Sequence, residues 1–390
     1  MSSSPVAYGS ALRHEWGLDP DFLTVNHGSF GATPKVVLKA QDEWRARMEA
    51  QPTRFFSREL PEALRAAATV LAKALSAEPD DVVFVPNATT GCNAVLRSMQ
   101  LREGDELLHA SHVYNAVRNT MLYVAERAGA KVVSAELPYP RPDKAVLLAN
   151  IEKAITKRTK IVVIDHITSP SGLVLPIKEI IDLCHAAGMP VLVDGAHGPG
   201  QVPLDLTALG ADWYVGNCHK WWSAPKGCGF LHARGDRRTD LHPVTISHGY
   251  GAGFTKEFDW VGTVDPTAWL ALPAALDFFE RSGGTALMER NKRLAAEAGA
   301  MLAATLGTEV GAMPDMAGAM ASVRLPFEMA ATREAAVPIR TALQAAGCDA
   351  PVHGLPSGPW LRLSAYAYNE LSDYQRLAQI LPGVLASLRN

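Results

Sequence analysis

The chain has 390 residues, 48% of them apolar and 20% charged, with a formal net charge of −3. It is too long for one simple core and apolar enough for two, and its charge gives neither a basic footprint for nucleic acid nor a polybasic patch for a membrane. The opening MSSSPVAYGSALRHEWG holds no apolar stretch of signal-peptide length, charged residues interrupt every apolar run, and none of the five cysteines forms a CxxC pair, so a soluble, cytoplasmic setting is expected.

Residues 1–25 read as an N-terminal arm, polar to residue 21 and apolar over Phe22–Val25. NHGSFGATP follows, where Gly28, Gly31 and Pro34 mark a tight loop. Pro34 opens a helix with Val37, Ala40, Trp44 and Met48 at helical spacing, and Pro61–Leu75 predicts a second. Asp81–Val85 predicts a strand and Pro86–Gly91 a turn, before a helix with Cys92, Val95, Leu96 and Met99 on one face. A small-residue turn between a strand end and a helix start is an anion cradle, because free N–H groups and the helix dipole both point there. Ala88, Thr89 and Thr90 are therefore candidate phosphate ligands, although an ordinary capped loop has the same signature.

Strands are expected at Asp105–His109, Lys131–Ala135 and Ile161–Asp165. Helices are expected at 116–128, Lys144–Ala154 and Pro176–Ala187, the last ended by Gly188. This alternation predicts an α/β chain with a mainly parallel sheet flanked by helices, whose ligands sit outside the carboxyl ends of the strands. Thr89, His112, His166, Asp194 and Lys220 each lie just past a strand-like run.

The stretch from Pro190 to Phe230 concentrates the chemistry. Val191–Val193 stops at Asp194, and Trp213–Val215 leads to His219 and Lys220. An acid at one strand end and a lysine at the next are the two groups a pyridoxal phosphate site needs, one for the pyridinium nitrogen and one for the Schiff base. Asp194 would serve equally as a helix cap, Lys220 as a snorkelling surface lysine, and Lys226 is a nearby rival. His197 and His219 lack the HxxxH or HExxH pairing of a metal site, so no metal is expected. Cys218 and Cys348 read as buried and inert rather than nucleophilic. Arg362 in WLRLSAYAYNE would clamp a carboxylate or form an ordinary salt bridge.

Beyond Phe230 the texture changes. Helices are expected at Thr267–Phe279 and Arg290–Leu306, a strand at Ala321–Leu325, a helix to Ala346 and a strand at Trp360–Leu363. A final helix, Ser372–Leu388, is expected to break or kink at Pro382. The domain boundaries drawn from this are a large domain over 26–255 and a smaller α+β domain over 256–390.

The run DGAHGPGQVPLDLTALGADWYVGNCHKWWSAPKGCGFLH resembles the lysine region of class V aminotransferase-fold, pyridoxal-phosphate-dependent enzymes, nearest to their isopenicillin N epimerase branch. VNHGSFGATP, SHVYNAVRNT, ITSPSGLVLP, WVGTVD and LRLSAYAYN extend the resemblance over most of the chain. It implies fold type I, with a mainly parallel, seven-stranded-type sheet in the large domain, and a homodimer with active sites at the interface. It also implies that Lys220 carries the Schiff base, Asp194 pairs with the pyridinium and His197 lies near the phenolic oxygen. Thr89, Asn217 and His219 would hold the phosphate, and Thr263 would reach the cofactor of the neighbouring subunit. His112 would stack over the ring with Tyr114 close by. Arg362 would take the substrate carboxylate, helped by the backbone of Asn26, His27, Gly28 and Ser29.

Every branch of that family forms an external aldimine with an amino acid and activates its Cα–H bond. Amino-acid epimerisation is the first expectation, with His112 or Tyr114 as the second acid/base. C–S β-lysis of a cysteine conjugate and class V transamination are the alternatives, and a non-catalytic binding protein comes last. Cysteine desulfurases carry their catalytic cysteine in a serine-rich loop before the late arginine, and no such loop stands here. Arg54, Phe55, Phe56, Arg58, His248 and Tyr250 are candidates for pocket lining or for packing.

Overall fold

The computed structural model of the chain describes residues 7–388, so residues 1–6 of the expected arm lie outside the described residues. Seven strands form the central sheet: β1 Val82–Val85, β2 Glu106–Ala110, β3 Lys131–Ala135, β4 Thr159–Asp165, β5 Val191–Gly195, β6 Trp213–Asn217 and β7 Gly229–Ala233. Their order is β1-β7-β6-β5-β4-β2-β3, with β7 antiparallel to both neighbours and every other pair parallel. Successive strand residues point to opposite faces, and the two faces fill two cores. Val82, Phe84, Val191, Val193 and Phe230 enter one; Val83, Val85, Leu192, Val215 and Leu231 enter the other. Burial on both faces explains why these strands read as continuous apolar runs.

β7 has no strand signal of its own, since Gly229 opens it and His232 interrupts its apolar run. Pairing on both sides supplies what propensity does not. Gly229 is needed there, because a Cβ would come within 2.8 Å of Asn87 Cα in the turn after β1.

The later part of the chain forms a three-stranded antiparallel sheet of β8 Met320–Arg324, β9 Val352–Leu355 and β10 Gly358–Ser364, in the order β9-β10-β8. Helices Thr285–Leu306, Arg333–Ala345 and Leu371–Ser387 accompany it, and Leu294, Leu302, Leu361, Leu363, Tyr374 and Leu377 share its core. The segment expected as one helix over Thr267–Phe279 is two, Thr267–Leu270 and Leu272–Arg281, with Pro273 in the first turn of the second. Proline lacks the N–H that would join them. The last helix instead runs on through Pro382, which lies on its exposed side where water can meet the carbonyl left free. Leu23 and Val25 of the N-terminal segment belong to this later core. Leu23–Thr24 also pairs in parallel with Cys348–Asp349.

Candidate active site

A cavity of about 240 Å³ opens at the carboxyl ends of β4, β5 and β6, beside the N-terminus of helix Ala88–Ser98. Asp165, Asp194, Lys220, His197 and His219 all line it. Parallel strands deliver their carboxyl ends to one edge, so residues distant in sequence meet there.

Lys220 follows β6 in a tight turn closed by the Ser223 N–H donating to the Lys220 carbonyl at 3.0 Å. Ser223 holds φ at +55°, a conformation that costs a non-glycine residue roughly 1–3 kcal/mol and survives only where its surroundings fix it. Its hydroxyl donates to Tyr366 OH at 2.9 Å, and Tyr366 OH donates to the Trp221 carbonyl at 3.0 Å. Lys220 Nζ lies 3.1 Å from His197 Nε2. Burial, with help from the Arg362 charge, brings the lysine down to about 7, while Asp194 and Asp165 pull the other way. A lysine in that range supplies a free amine near neutral pH.

Asp194 is 3% exposed, and its Oδ1 accepts the Ala196 N–H at 3.0 Å. Asp165 ends β4 directly beside it, the two being register partners on parallel strands, and it is equally buried. Burial raises both carboxyl groups. The Asp194 charge lifts Asp165 further, to well above the usual carboxylate range. Two like charges so placed do not both ionise at their ordinary pH, so the pair shares a proton. Asp165 carries the same sequence signal as Asp194, an apolar run that stops at an acid.

The turn after β1 is built as a cradle. Asn87 caps the helix by accepting the Thr90 N–H at 2.9 Å and the Thr90 hydroxyl at 3.2 Å, so Thr90 is engaged locally and lies outside the cavity lining. Asn217 Oδ1 accepts the Ala88 N–H at 2.8 Å. Thr89 and Ala88 line the cavity with Asn217 and His219. The His219 Nδ1 faces the Cys228 carbonyl at 3.0 Å, and burial lowers this histidine to about 4.

Arg362 on β10 is 2% exposed and stands behind the lining. It donates through Nη1 to the Ser169 carbonyl and through Nη2 to Ser29 Oγ at 3.1 Å and Asn26 Oδ1 at 3.5 Å, while its Nε has no partner. Burial, then the neighbouring Arg340, lowers it to about 10. Ser29 and Ser169 both line the cavity, so the guanidinium is one hydrogen bond away from it. The segment expected as a tight loop is a single helical turn, His27–Phe30, pressed against the lysine turn. Gly28 N–H donates to Ser364 Oγ at 3.1 Å, and His27 Nε2 faces the Lys220 carbonyl at 2.9 Å. Gly31, at φ +70°, leaves no room for a side chain, since a Cβ would lie 2.1 Å from the His219 carbonyl oxygen.

Other expected residues stand apart. His112 is buried with Nδ1 2.8 Å from Ser171 Oγ and its ring edge-on to Tyr139, outside the lining; burial lowers it to about 4. Its neighbour Tyr114 does line the cavity, 44% exposed. His166 sits behind the strands with Nδ1 2.9 Å from Tyr214 OH. Thr263 is exposed and away from the cavity. Arg54, Phe55, Phe56, Arg58, His248 and Tyr250 line no part of it; Phe55 is core and Arg54 pairs with Glu59. Phe30, 69% exposed, and Ser169 line it unannounced by any sequence signal beyond their motifs. All five cysteines are buried, and burial pushes Cys348 up to about 12 and Cys218 well above the ordinary thiol range. Among the described residues no cluster of three or more His, Cys, Asp or Glu is placed to hold a metal, and no helix is long and apolar enough to cross a membrane.

This donor set fits pyridoxal phosphate. Asp194 is buried with no cationic hydrogen-bond partner among the described residues, which suits a protonated ring nitrogen. The Ala88–Thr89 helix start with Asn217 and His219 suits a phosphate, and Lys220 suits an imine.

Comparison with known proteins agrees. A family model described as Aminotransferase class-V matches residues 30–377. The chain is 34% identical over 397 residues to a probable chloroplastic L-cysteine desulfhydrase of Arabidopsis thaliana, covering 94% of this chain and 84% of the relative. It is 36% identical over 393 residues to isopenicillin N epimerase of Amycolatopsis lactamdurans, covering 95% and 96%. Among solved structures, a lysine-to-alanine mutant of C-DES with glycine covalently linked to its PLP cofactor superposes with a TM-score of 0.79 at 22% identity, over 94% of this chain and 98% of that one. A cysteine desulfurase from Thermococcus onnurineus NA1 does so with a TM-score of 0.82 at 18% identity, over 99% and 100%. At these identities the structural likeness speaks for the fold.

Proposed function

The chain belongs to the class V aminotransferase family, with its fold type I architecture and pyridoxal phosphate cofactor, and from that premise we propose that it removes the Cα proton of a cysteine-type amino acid and eliminates the sulfur from Cβ. The observation that carries this reading is the pairing of one primed amine with a displaced histidine. Lys220 Nζ lines the cavity as a base near neutral pH, whereas of the two groups expected as a second acid/base His112 is turned onto Ser171 and only Tyr114 reaches the cavity. Elimination needs one base and an acid for the leaving group; epimerisation needs two bases on opposite faces.

Pyridoxal phosphate, when bound, supplies the carbonyl that condenses with the substrate amine and the ring that takes up the electron pair released at Cα. Lys220 takes the Cα proton onto Nζ. Asp194 keeps a negative charge facing the ring nitrogen, and the proton shared with Asp165 beside it limits the pair to one charge. Arg362 receives the substrate carboxylate by exchanging its bonds to Ser29 and Ser169 for a charge-assisted pair. The Cβ–S bond then breaks with its electron pair on sulfur, and Tyr114 protonates the departing thiolate. Hydrolysis of the remaining three-carbon fragment gives pyruvate and ammonia. The cysteines take no part: sulfur leaves as free sulfide or thiol, because no lowered thiol stands in the cavity to receive it.

Relatives named L-cysteine desulfhydrase support this reading, and relatives named isopenicillin N epimerase support a second one. In that reading Tyr114, a phenol on the cavity wall, returns a proton to the opposite face of Cα. The family premise also favours a homodimer, and Thr263, exposed and remote from its own cavity, suits a role in the site of a second copy. Pyruvate and sulfide or thiol release from L-cysteine and its S-conjugates tests the first reading. Parallel incubation of L- and D-amino acids in heavy water tests the second. α-Deuteration with inversion and no pyruvate would replace elimination by epimerisation, and neither signal from any substrate would remove both.

A further inference from the structure

His197 lies between two nitrogens. Its Nδ1 is 3.3 Å from the Trp221 indole Nε1, and its Nε2 is 3.1 Å from Lys220 Nζ. An indole N–H only donates, so the Nδ1 facing it must accept and carries no proton. A neutral imidazole keeps one N–H, which is then on Nε2 and points at Lys220. A doubly protonated ring would set two donors against each other at Nδ1. Both rings are buried, Trp221 at 0% and His197 at 2% exposure, so water does not offer Nδ1 an alternative partner. The His197 backbone is fixed as well, its carbonyl accepting from Gln201 Nε2 at 3.0 Å.

We propose that Trp221 is a positioning residue that locks His197 into the tautomer with its proton on Nε2, making His197 a permanent hydrogen-bond donor toward the lysine end of the cavity. Two consequences follow from the same geometry. Lys220 Nζ can accept this N–H only as a free amine, so the lock favours the nucleophilic form of the lysine. His197 cannot act as a base toward Lys220, because its lone pair is spent on the indole. The lysine must therefore exchange its proton with another group in the cavity. This inference rests on the reading of the cavity as the pyridoxal phosphate site, and it is independent of which bond breaks after Cα–H activation.

Nitrogen-15 NMR of the histidine-labelled holoenzyme, with His197→Gln to assign the signals, reads the tautomer directly. Protonated Nε2 and bare Nδ1 from pH 6 to 9 are expected; a protonated Nδ1 in the wild-type enzyme overturns the proposal whatever any variant does. In Trp221→Phe the preference for the Nε2 tautomer should fall by roughly two- to tenfold, the factor that one neutral hydrogen bond sets. The second readout is the pH at which the visible Schiff-base band changes form. Trp221→Phe should move that midpoint in the wild-type background and leave it unmoved in the His197→Gln background, where an amide donates without a tautomer. Equal movement in both backgrounds would mean that Trp221 acts only through packing, and the proposal falls. Failure of substrate turnover bears on the choice of reaction and leaves these two readouts standing.

Discussion

Lys220 divides its surroundings into two unlike halves. The side chain meets ionisable groups, Asp194, Asp165, His197 and His219, in a cavity with few hydrogen bonds among them. The backbone meets a nest of rings. His27 stacks on Tyr366 with centroids 3.6 Å apart and planes 7° from parallel, Trp16 stands edge-on to Tyr368 at 5.1 Å, and Trp221 tilts against Tyr366 at 6.2 Å. Each such pair contributes about 0.5–1.5 kcal/mol beyond its buried area. The difference teaches a division of labour. Burying charged groups together costs free energy and tunes their protonation, while the neutral, fully packed half supplies stability and fixes the turn that carries the lysine. Both halves also hold a histidine whose tautomer a neighbour dictates. The Lys220 carbonyl puts the His27 proton on Nε2, so Tyr368 OH donates to Nδ1 at 2.9 Å, as Trp221 does for His197.

If the halves are separate in this way, changes in the first should alter chemistry and changes in the second should alter stability. Lys220→Ala breaks the comparison most sharply: turnover should fall roughly 10²–10⁴-fold, the usual worth of a positioned base, and the visible Schiff-base band should vanish. Asp194→Asn should lower kcat about 10–100-fold by removing a charge worth roughly 1.5–3 kcal/mol. Asp165→Asn mimics the protonated acid and should cost less than about tenfold; equal losses in the two variants would show that they share the charge evenly.

Titration offers a third test, on the cofactor-free protein. The Lys220 value is lowered to about 7 in the folded state, so the unfolded chain binds more protons above that pH. Stability should therefore rise with pH from about 7 toward the ordinary lysine value, at most about 1.4 kcal/mol per pH unit. Lys220→Met should lack that contribution, and identical denaturation profiles for the two proteins would refute the lowered value. The smallest effect belongs to the aromatic half. Tyr366→Phe removes the acceptor of Ser223 and the donor to the Trp221 carbonyl, and should cost about 1 kcal/mol of stability with kcat nearly unchanged. A large loss of kcat there would mean that the two halves are not separable.

Much of the first half was legible in the sequence. Asp194 and Lys220 stand out because a parallel strand buried on both faces is apolar until it ends, although a helix cap and a snorkelling lysine carry the same signal. Asp165 carries the same signal and was passed over for its neighbour His166, whose ring turns to Tyr214 instead. The aromatic half was not legible, since Trp16, His27, Trp221, Tyr366 and Tyr368 come from three distant stretches and show no shared period. His112 and Tyr114 illustrate a finer limit. They are two residues apart, and the entry into helix Asn115–Ala128 turns one to Ser171 and the other to the cavity, a choice made by loop geometry. β7 shows no strand signal because its strand character comes from its partners, and the segment from Thr267 reads as one helix because Pro273 is tolerated in a first turn.

The helical turn at His27–Phe30 bears on the order in which the molecule is made. Its His27 bonds to Tyr368, 341 residues further on, and the preceding Leu23–Thr24 pairs with Cys348–Asp349. Contacts of such separation form late, after the loop-closure cost of the whole intervening chain has been met. During synthesis the central sheet, complete by residue 233, is available to fold while the end of the chain is still on the ribosome. The lysine is then already on its strand end with His27 within reach of its carbonyl, but Tyr366 and Tyr368, which pack against His27 and bond to it, are still missing. The packing behind the candidate site is thus completed only by residues near the end of the chain, and a chain that stops short of Tyr368 leaves His27 without its partner hydroxyl.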